Sequence, residues 1–339
     1  MLLTMMLSLS LETKNKHFTM SDKRIVFMGT PEFAAHCLTK LIDEQFNVVG
    51  VVTVADKPAG RGQQIQESAV KKVARKHNLP ILQPLKLKDE AFLETLANWN
   101  ADLFVVIAFR MLPEVVWNMP PMGSINLHGS LLPQFRGAAP INHAIITGEK
   151  ETGVTTFFIQ QEIDTGNILL QKCTSIDENE TAGELHDRLM EIGSELVCET
   201  LAGVFDGTLQ DKSQAEFDAL DLKHAPKIFK ADCEIQWNQT VETIHNFIRG
   251  LSPYPAAWTK FLFPDSKAVK IFRTHKTKRS LSQKVGAVVL ENDQFFIQCS
   301  DFAIEILELQ VEGKKRTTSA DFIRGLRSAI QIDLNEDIV

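Results

Sequence analysis

The chain has 339 residues, of which 44% are hydrophobic and 23% charged, which is the profile of an ordinary globular protein with room for two domains. Its formal charge of -7 gives no global attraction for a polyanion, although a net sum can conceal a basic region. Five scattered cysteines without a Cys-x-x-Cys pair argue against a disulfide framework and a zinc knuckle and fit a reducing cytoplasm. The absence of any apolar run of about 18 residues argues against a transmembrane helix.

Residues 1–22 read as a disordered extension. The stretch Met1 to Ser10 imitates the apolar part of a signal peptide but lacks its basic start and cleavage site. Arg24 to Gly29 then reads as a buried parallel strand, a short apolar run stopped by glycine. Thr30 is placed to cap a helix with Pro31 at its first position, and apolar residues 33, 34, 37, 38, 41 and 42 give that helix a packed face. Gly29 stands without the further glycines of a Gly-x-Gly-x-x-Gly turn, which argues against a nicotinamide oxidoreductase. Val48 to Val54 is a second strand, followed by a polar segment, Asp56 to Gln64, in which Gly60 and Gly62 flank Arg61. On its residues alone this segment reads as a solvated mobile loop slightly better than as a basic tongue.

A helix over 71–77, a short strand at 81–82, a helix over 89–99 and a strand over 102–109 continue the alternation. A doubly wound, mainly parallel, Rossmann-like sheet follows, with its site at strand C-termini. Strands at 153–159 and 168–171 flank the turn Asp164-Thr165-Gly166. Thr181 to Asp206 is one long helix opened by a capping box, Thr181 with Glu184. This first domain spans 23–207, and the polar stretch 208–227 reads as a linker. Beyond it, over 228–332, come a strand at 234–237, a helix at 240–251 and five short strands at 258–263, 269–274, 286–290, 295–299 and 303–310. That pattern predicts a small β-barrel. Eight lysines and arginines between Lys260 and Lys284 face one acid, Asp265, and Lys314-Lys315-Arg316 adds a second cluster. On an acidic chain such a concentration favours contact with a polyanion.

The chemistry concentrates in Ile125-Asn126-Leu127-His128-Gly129-Ser130-Leu131-Leu132-Pro133. In a strand, Asn126 and His128 share one face. An amide that can donate to an oxyanion, beside an imidazole, is equipment for acyl transfer. Asp164 can supply the carboxylate that orients and charges the imidazole. The Gly-x-Ser-x-Gly elbow is absent, because Ser130 is followed by Leu-Leu-Pro, so a serine nucleophile is not indicated.

These residues and four further segments resemble the methionyl-tRNA formyltransferase family over about 24–332. The further segments are Phe27 to Phe33, Asp56 to Gly62, Arg136-Gly137-Ala138-Ala139-Pro140 and Ser252 to Trp258. The resemblance implies formyl transfer from 10-formyltetrahydrofolate to the amino group of methionyl initiator tRNA, in the cytoplasm, by a monomer with no metal. It implies a catalytic trio of Asn126, His128 and Asp164, and a folate site formed by Ser130, Leu131, Leu132, Pro133, Phe109 and Met111. It makes the second domain OB-like, with tRNA contacts at Arg61, Lys276, Lys278, Arg279, Lys314 and Lys315. Two departures stand out: Gln63 and Gln64 occupy positions where many relatives carry lysines, and Phe109-Arg110-Met111 replaces a small turn. The competing readings are a formyl-folate enzyme acting on a small amine and a non-catalytic RNA-binding relative.

Overall fold

The structure, a computed structural model, describes residues 22–59, 64–217, 221–261, 267–281 and 283–329. The expected extension therefore lies outside the described residues except for Asp22, and so does Arg61.

The first domain contains, in chain order, β1 (Arg24–Gly29), α1 (Glu32–Asp43), β2 (Asn47–Val52), β3 (Lys57–Ala59), β4 (Gln64–Gln66), α2 (Ala69–Lys76) and β5 (Ile81–Leu82). It continues through α3 (Glu90–Asn98), β6 (Leu103–Ile107), α4 (Glu114–Trp117), β7 (Ser124–His128), β8 (Arg136–Gly137) and α5 (Pro140–Ile146). The hairpin β9 (Glu151–Phe158) and β10 (Ile168–Ser175) and the long helix α6 (Ala182–Asp206) complete it. Seven strands form one sheet in the order β10-β9-β7-β6-β1-β2-β5. Strands β5, β2, β1, β6 and β7 run parallel, and β9 and β10 are antiparallel additions at one edge.

The central strands are apolar throughout because both faces are covered. Ile25 and Phe27 of β1 join Leu103, Val105, Ile125 and Leu127 in a core under α1 and α6, whereas Val26 and Met28 join Phe104 and Val106 in a second core under α3. This period-two alternation sends Ile125 and Leu127 of β7 into the first core and turns Asn126 and His128 to the other face. Helix α1 is entered differently from the expectation. Pro31 is the capping residue and no side chain caps the helix, so its exposed N–H groups are not met by Thr30. The capping box of α6 forms as the spacing requires, with Thr181 and Glu184 bonding each other's backbone N–H.

After β11 (His224–Ala225) in the connecting stretch, the second domain contains α7 (Val241–Leu251), β12 (Ala257–Phe261), β13 (Lys267–Lys276), β14 (Val288–Glu291), β15 (Gln294–Gln298), β16 (Ala303–Val311), β17 (Thr317–Thr318) and α8 (Ser319–Ala329). Five of its strands pair in the order β12-β13-β16-β15-β14, with β17 added beside β16, all antiparallel. The apolar side of this sheet packs on α7 and on Ile323 of α8. Among the described residues, no pairing joins β12 to β14, so the sheet is open between these two strands, as a partly open barrel allows. Residues 234–237 do not form the expected strand. A 3₁₀ turn at Lys230–Cys233 leads into a single bridge between Glu234 and Trp258.

The stretch 208–227 is irregular, as its polarity suggests, but it is not a free linker. Lys212 exchanges backbone hydrogen bonds with Ile168, and β11 pairs with β8. Gln214, at 2% exposure, is buried against the first domain. The two domains also meet through α7. Arg249, likewise buried, donates to the carbonyls of Asp177 (3.1 Å) and Glu180 (3.0 Å). Asn142 donates to the Gly250 carbonyl at 2.7 Å. Among the described residues, no helix is long and apolar enough to cross a membrane.

Candidate active site

A cavity of about 710 Å³ opens at the C-terminal ends of β6 and β7, where a doubly wound sheet places its ligands. Asn126, His128 and Asp164 all line it. Asn126 faces Val106 across the parallel ladder and Phe157 on the antiparallel side. Its amide makes no hydrogen bond among the described residues, so both N–H groups are available to a ligand. His128 is 7% exposed, with its ring edge-on to Phe157. Its Nε2 lies 2.9 Å from the carbonyl oxygen of Phe135. A carbonyl only accepts, so this contact holds a proton on Nε2 and leaves Nδ1 as the nitrogen that takes up or releases one.

Nδ1 lies 3.8 Å from Asp164 Oδ2. That is too long for a hydrogen bond but close enough for the carboxylate to fix which side of the ring faces the cavity. The same Oδ2 accepts from the Gly137 N–H at 2.9 Å, so the backbone after the Leu-Leu-Pro turn fixes the carboxylate. Asp164 has φ of 56°, a left-handed conformation uncommon for residues other than glycine. Gly166 explains how the loop holds that turn: a Cβ there would lie 1.6 Å from the Phe158 carbonyl oxygen, so only glycine permits the close approach to β9.

The six expected folate residues separate into two groups. Phe109 and Met111 line the cavity, together with Arg110 and Leu112. Ser130, Leu131, Leu132 and Pro133 do not. Ser130 is fully buried, and its hydroxyl donates to the Gln134 carbonyl at 2.6 Å. Leu132 is buried with Phe157 and Ile168. The turn is instead a brace: Thr155 Oγ1 donates to the Ser130 carbonyl and accepts from the Leu132 N–H, while Gln171 donates to the Leu132 carbonyl. Gly129 and the segment Gly137 to Asn142 supply the cavity wall on that side.

Gln214 is the site residue that the sequence concealed. Its Nε2 donates to the carbonyls of Asp164 (3.0 Å) and Gly166 (2.7 Å), and its Oε1 accepts from both Nε and Nη2 of Arg136. It thus ties the Asp164 loop to the Arg136-Gly137 strand that holds the carboxylate. Its only sequence signal is a glutamine in a polar stretch, which has no distinguishing pattern.

Comparison with known proteins resolves the family. The formyl transferase model matches residues 23–201, and the model of its C-terminal domain matches residues 227–327.

The chain belongs to the formyl transferase family.

A methionyl-tRNA formyltransferase of Bacteroides thetaiotaomicron is 50% identical over 310 residues, covering 90% of this chain and 96% of that protein. Among solved structures, HypX from Aquifex aeolicus in complex with tetrahydrofolic acid aligns with a TM-score of 0.61 at 18% identity, over 88% of this chain and 46% of HypX. This chain therefore spans about half of HypX. The N-formyltransferase from Helicobacter canadensis, in complex with folinic acid and dTDP-3-aminofucose, aligns with a TM-score of 0.60 at 20% identity, over 84% and 98% of the two chains. These two likenesses are of fold.

In this formyl transferase the expected RNA-facing cations also divide. Lys278, Lys314 and Lys315 are exposed. Lys276 is not free: it bridges Glu178 (2.6 Å) and Glu242 (2.5 Å) between the domains. Arg279 pairs with Glu291 and lies over the Phe296 ring at 4.9 Å, so only part of its guanidinium faces outward. Among the described residues, no group of three or more histidine, cysteine, aspartate or glutamate side chains is placed to hold a metal ion.

Proposed function

We propose that this formyl transferase passes the formyl group of 10-formyltetrahydrofolate to the amino group of methionyl initiator tRNA, in the cytoplasm and as a monomer. The observation that carries this reading is the cavity wall in which Asn126 and His128 stand on one strand face with Asp164 at 3.8 Å from the imidazole. The likeness at 50% identity to a methionyl-tRNA formyltransferase over nearly the whole chain supports the choice of acceptor.

The cavity suits a flat heteroaromatic ring. Phe109, Met111, Leu112 and Ile159 give it apolar walls, and the buried Nε of Arg110 has no hydrogen-bond partner among the described residues. An orphaned donor of that kind is costly unless a ligand acceptor meets it. The folate co-substrate supplies an activated formyl group. Asn126 donates to the formyl oxygen as negative charge gathers on it. The His128 imidazole moves a proton from the attacking amine toward the departing nitrogen, and Asp164 stabilises its charged form. No step requires a covalent bond to the enzyme.

The test is direct. The protein is incubated with 10-formyltetrahydrofolate and methionyl-tRNA, and the product is assayed for formylmethionine. Asn126→Ala is expected to lower kcat by about 100- to 1,000-fold, the usual effect of removing one oxyanion donor. Formylation of a small amine with no reaction on methionyl-tRNA would shift the reading to a small-molecule enzyme.

A further inference from the structure

A second groove, of about 580 Å³, lies where the domains meet, and its most conspicuous side chain has no use inside the protein. Tyr254, the chain's single tyrosine, is 82% exposed and makes no hydrogen bond among the described residues. Around it lie the first turn of α6 with Gly183, Glu184 and His186, and the arginines Arg273 and Arg316. The groove shares Ile141, Asn142 and His186 with the active-site cavity, so the two adjoin. A chain lying in the groove would deliver its end to Asn126 and His128.

The mount of Tyr254 is rigid although its ring is bare. Proline on either side fixes the backbone, and the Gly183 N–H donates to the Ser252 carbonyl at 3.0 Å. A Cβ on Gly183 would lie 2.5 Å from Pro253 Cδ, so α6 presses directly on this turn. Ala256 and Ala257, just beyond it, are buried. A large ring held outward on an immobile turn loses little entropy when something stacks on it. Arg273 pairs with Glu184, and Arg316 pairs with Glu308 while lying 4.3 Å from the Phe272 ring centre. Each guanidinium retains further donors suited to phosphate.

We infer that Tyr254 is a stacking platform for a nucleobase in the unpaired 3′ end of the aminoacyl-tRNA. Arg273 and Arg316 attend the adjoining phosphates, and the strand passes His186 into the active site. This rests on the acceptor proposed above. The aromatic ring explains how a single strand can be gripped without base-edge readout. A folate tail of carboxylates in the same groove would use the arginines but not the ring.

The experiment uses the full chain, with steady-state kinetics at saturating formyl donor and varied methionyl-tRNA. Tyr254→Ala should raise KM for the tRNA roughly 5- to 150-fold, the range expected when one base no longer stacks. Tyr254→Phe and Tyr254→Trp should stay near wild type, and KM for the formyl donor should not move. Single abasic substitutions through the unpaired 3′ nucleotides should reveal one position that raises the wild-type KM to a similar extent and has no further effect on Tyr254→Ala. An unchanged tRNA KM in Tyr254→Ala, equal abasic losses in variant and wild type, or a loss confined to the formyl donor would each overturn the platform. Wild-type protein that fails to formylate methionyl-tRNA would instead overturn the proposed acceptor, and the platform with it.

Discussion

At the scale of single residues, the site divides into groups that present chemistry and groups that hold them. Asn126 and His128 were legible because a strand's period of two needs only local sequence to place them together. Asp164 was legible as a turn residue, although its distance from His128 depends on Gly137, Gly166 and Gln214. Gln214 was not legible, since its partners lie far away in the chain and a glutamine advertises nothing by spacing. Ser130 to Pro133 pose the opposite problem: the motif is conspicuous, yet conspicuousness cannot separate a lining residue from a brace. The assignment of Gln214 as a positioning residue can be tested with Gln214→Leu. Without its hydrogen bonds to the two carbonyls, the Asp164 loop should drift and kcat should fall by about 10- to 100-fold. Both KM values should hold within about twofold, because no cavity wall is removed. If KM for either substrate rises while kcat is preserved, Gln214 belongs to binding instead.

At the scale of elements, α6 and α7 show the same division. The capping box of α6 is written locally in Thr181 and Glu184, and the helix begins where the sequence says it should. The role of α7 is tertiary. Its amphipathic pattern predicts a helix with one packed face, but not that His245 and Arg249 would be buried against the other domain. His245 Nδ1 lies 2.9 Å from Thr274 Oγ1, and its Nε2 lies 3.2 Å from the Glu178 carbonyl oxygen. Burial foremost, with the Arg249 and Lys276 charges adding, outweighs the Glu178 carbonyl and Glu242 and pushes His245 down to about 4 from its ordinary 6.5. The unfolded chain therefore takes up this proton first. The stability tied to a neutral His245 is complete above pH 6.5 and is lost as pH falls toward 4, about 3 kcal/mol across the window. Chemical denaturation at a series of pH values should show that slope. His245→Gln should be less stable at about pH 7 and flatter across the same window. An unchanged slope in the variant would remove His245 as its source.

At the scale of the whole molecule, an acidic protein must attract a polyanion with a minority of its surface. The basic excess of the second domain was visible in the sequence, but composition could not say which lysines are already committed. Lys276 is held between Glu178 and Glu242, whereas Lys278, Lys314 and Lys315 are exposed with no carboxylate partner among the described residues. Replacing these three by glutamate should raise KM for tRNA and leave KM for the formyl donor unchanged. It should also flatten the dependence of log KM on log salt by roughly 0.7 to 0.9 for each phosphate no longer neutralised. Lys276→Ala makes the opposite pair of changes. It strands two carboxylates at the domain junction and lowers stability, while the salt slope for tRNA stays near that of the parent. Should Lys276→Ala flatten the slope as much as the triple reversal, the ion-paired lysine would be part of the RNA surface after all. The division drawn from its pairing would then fail.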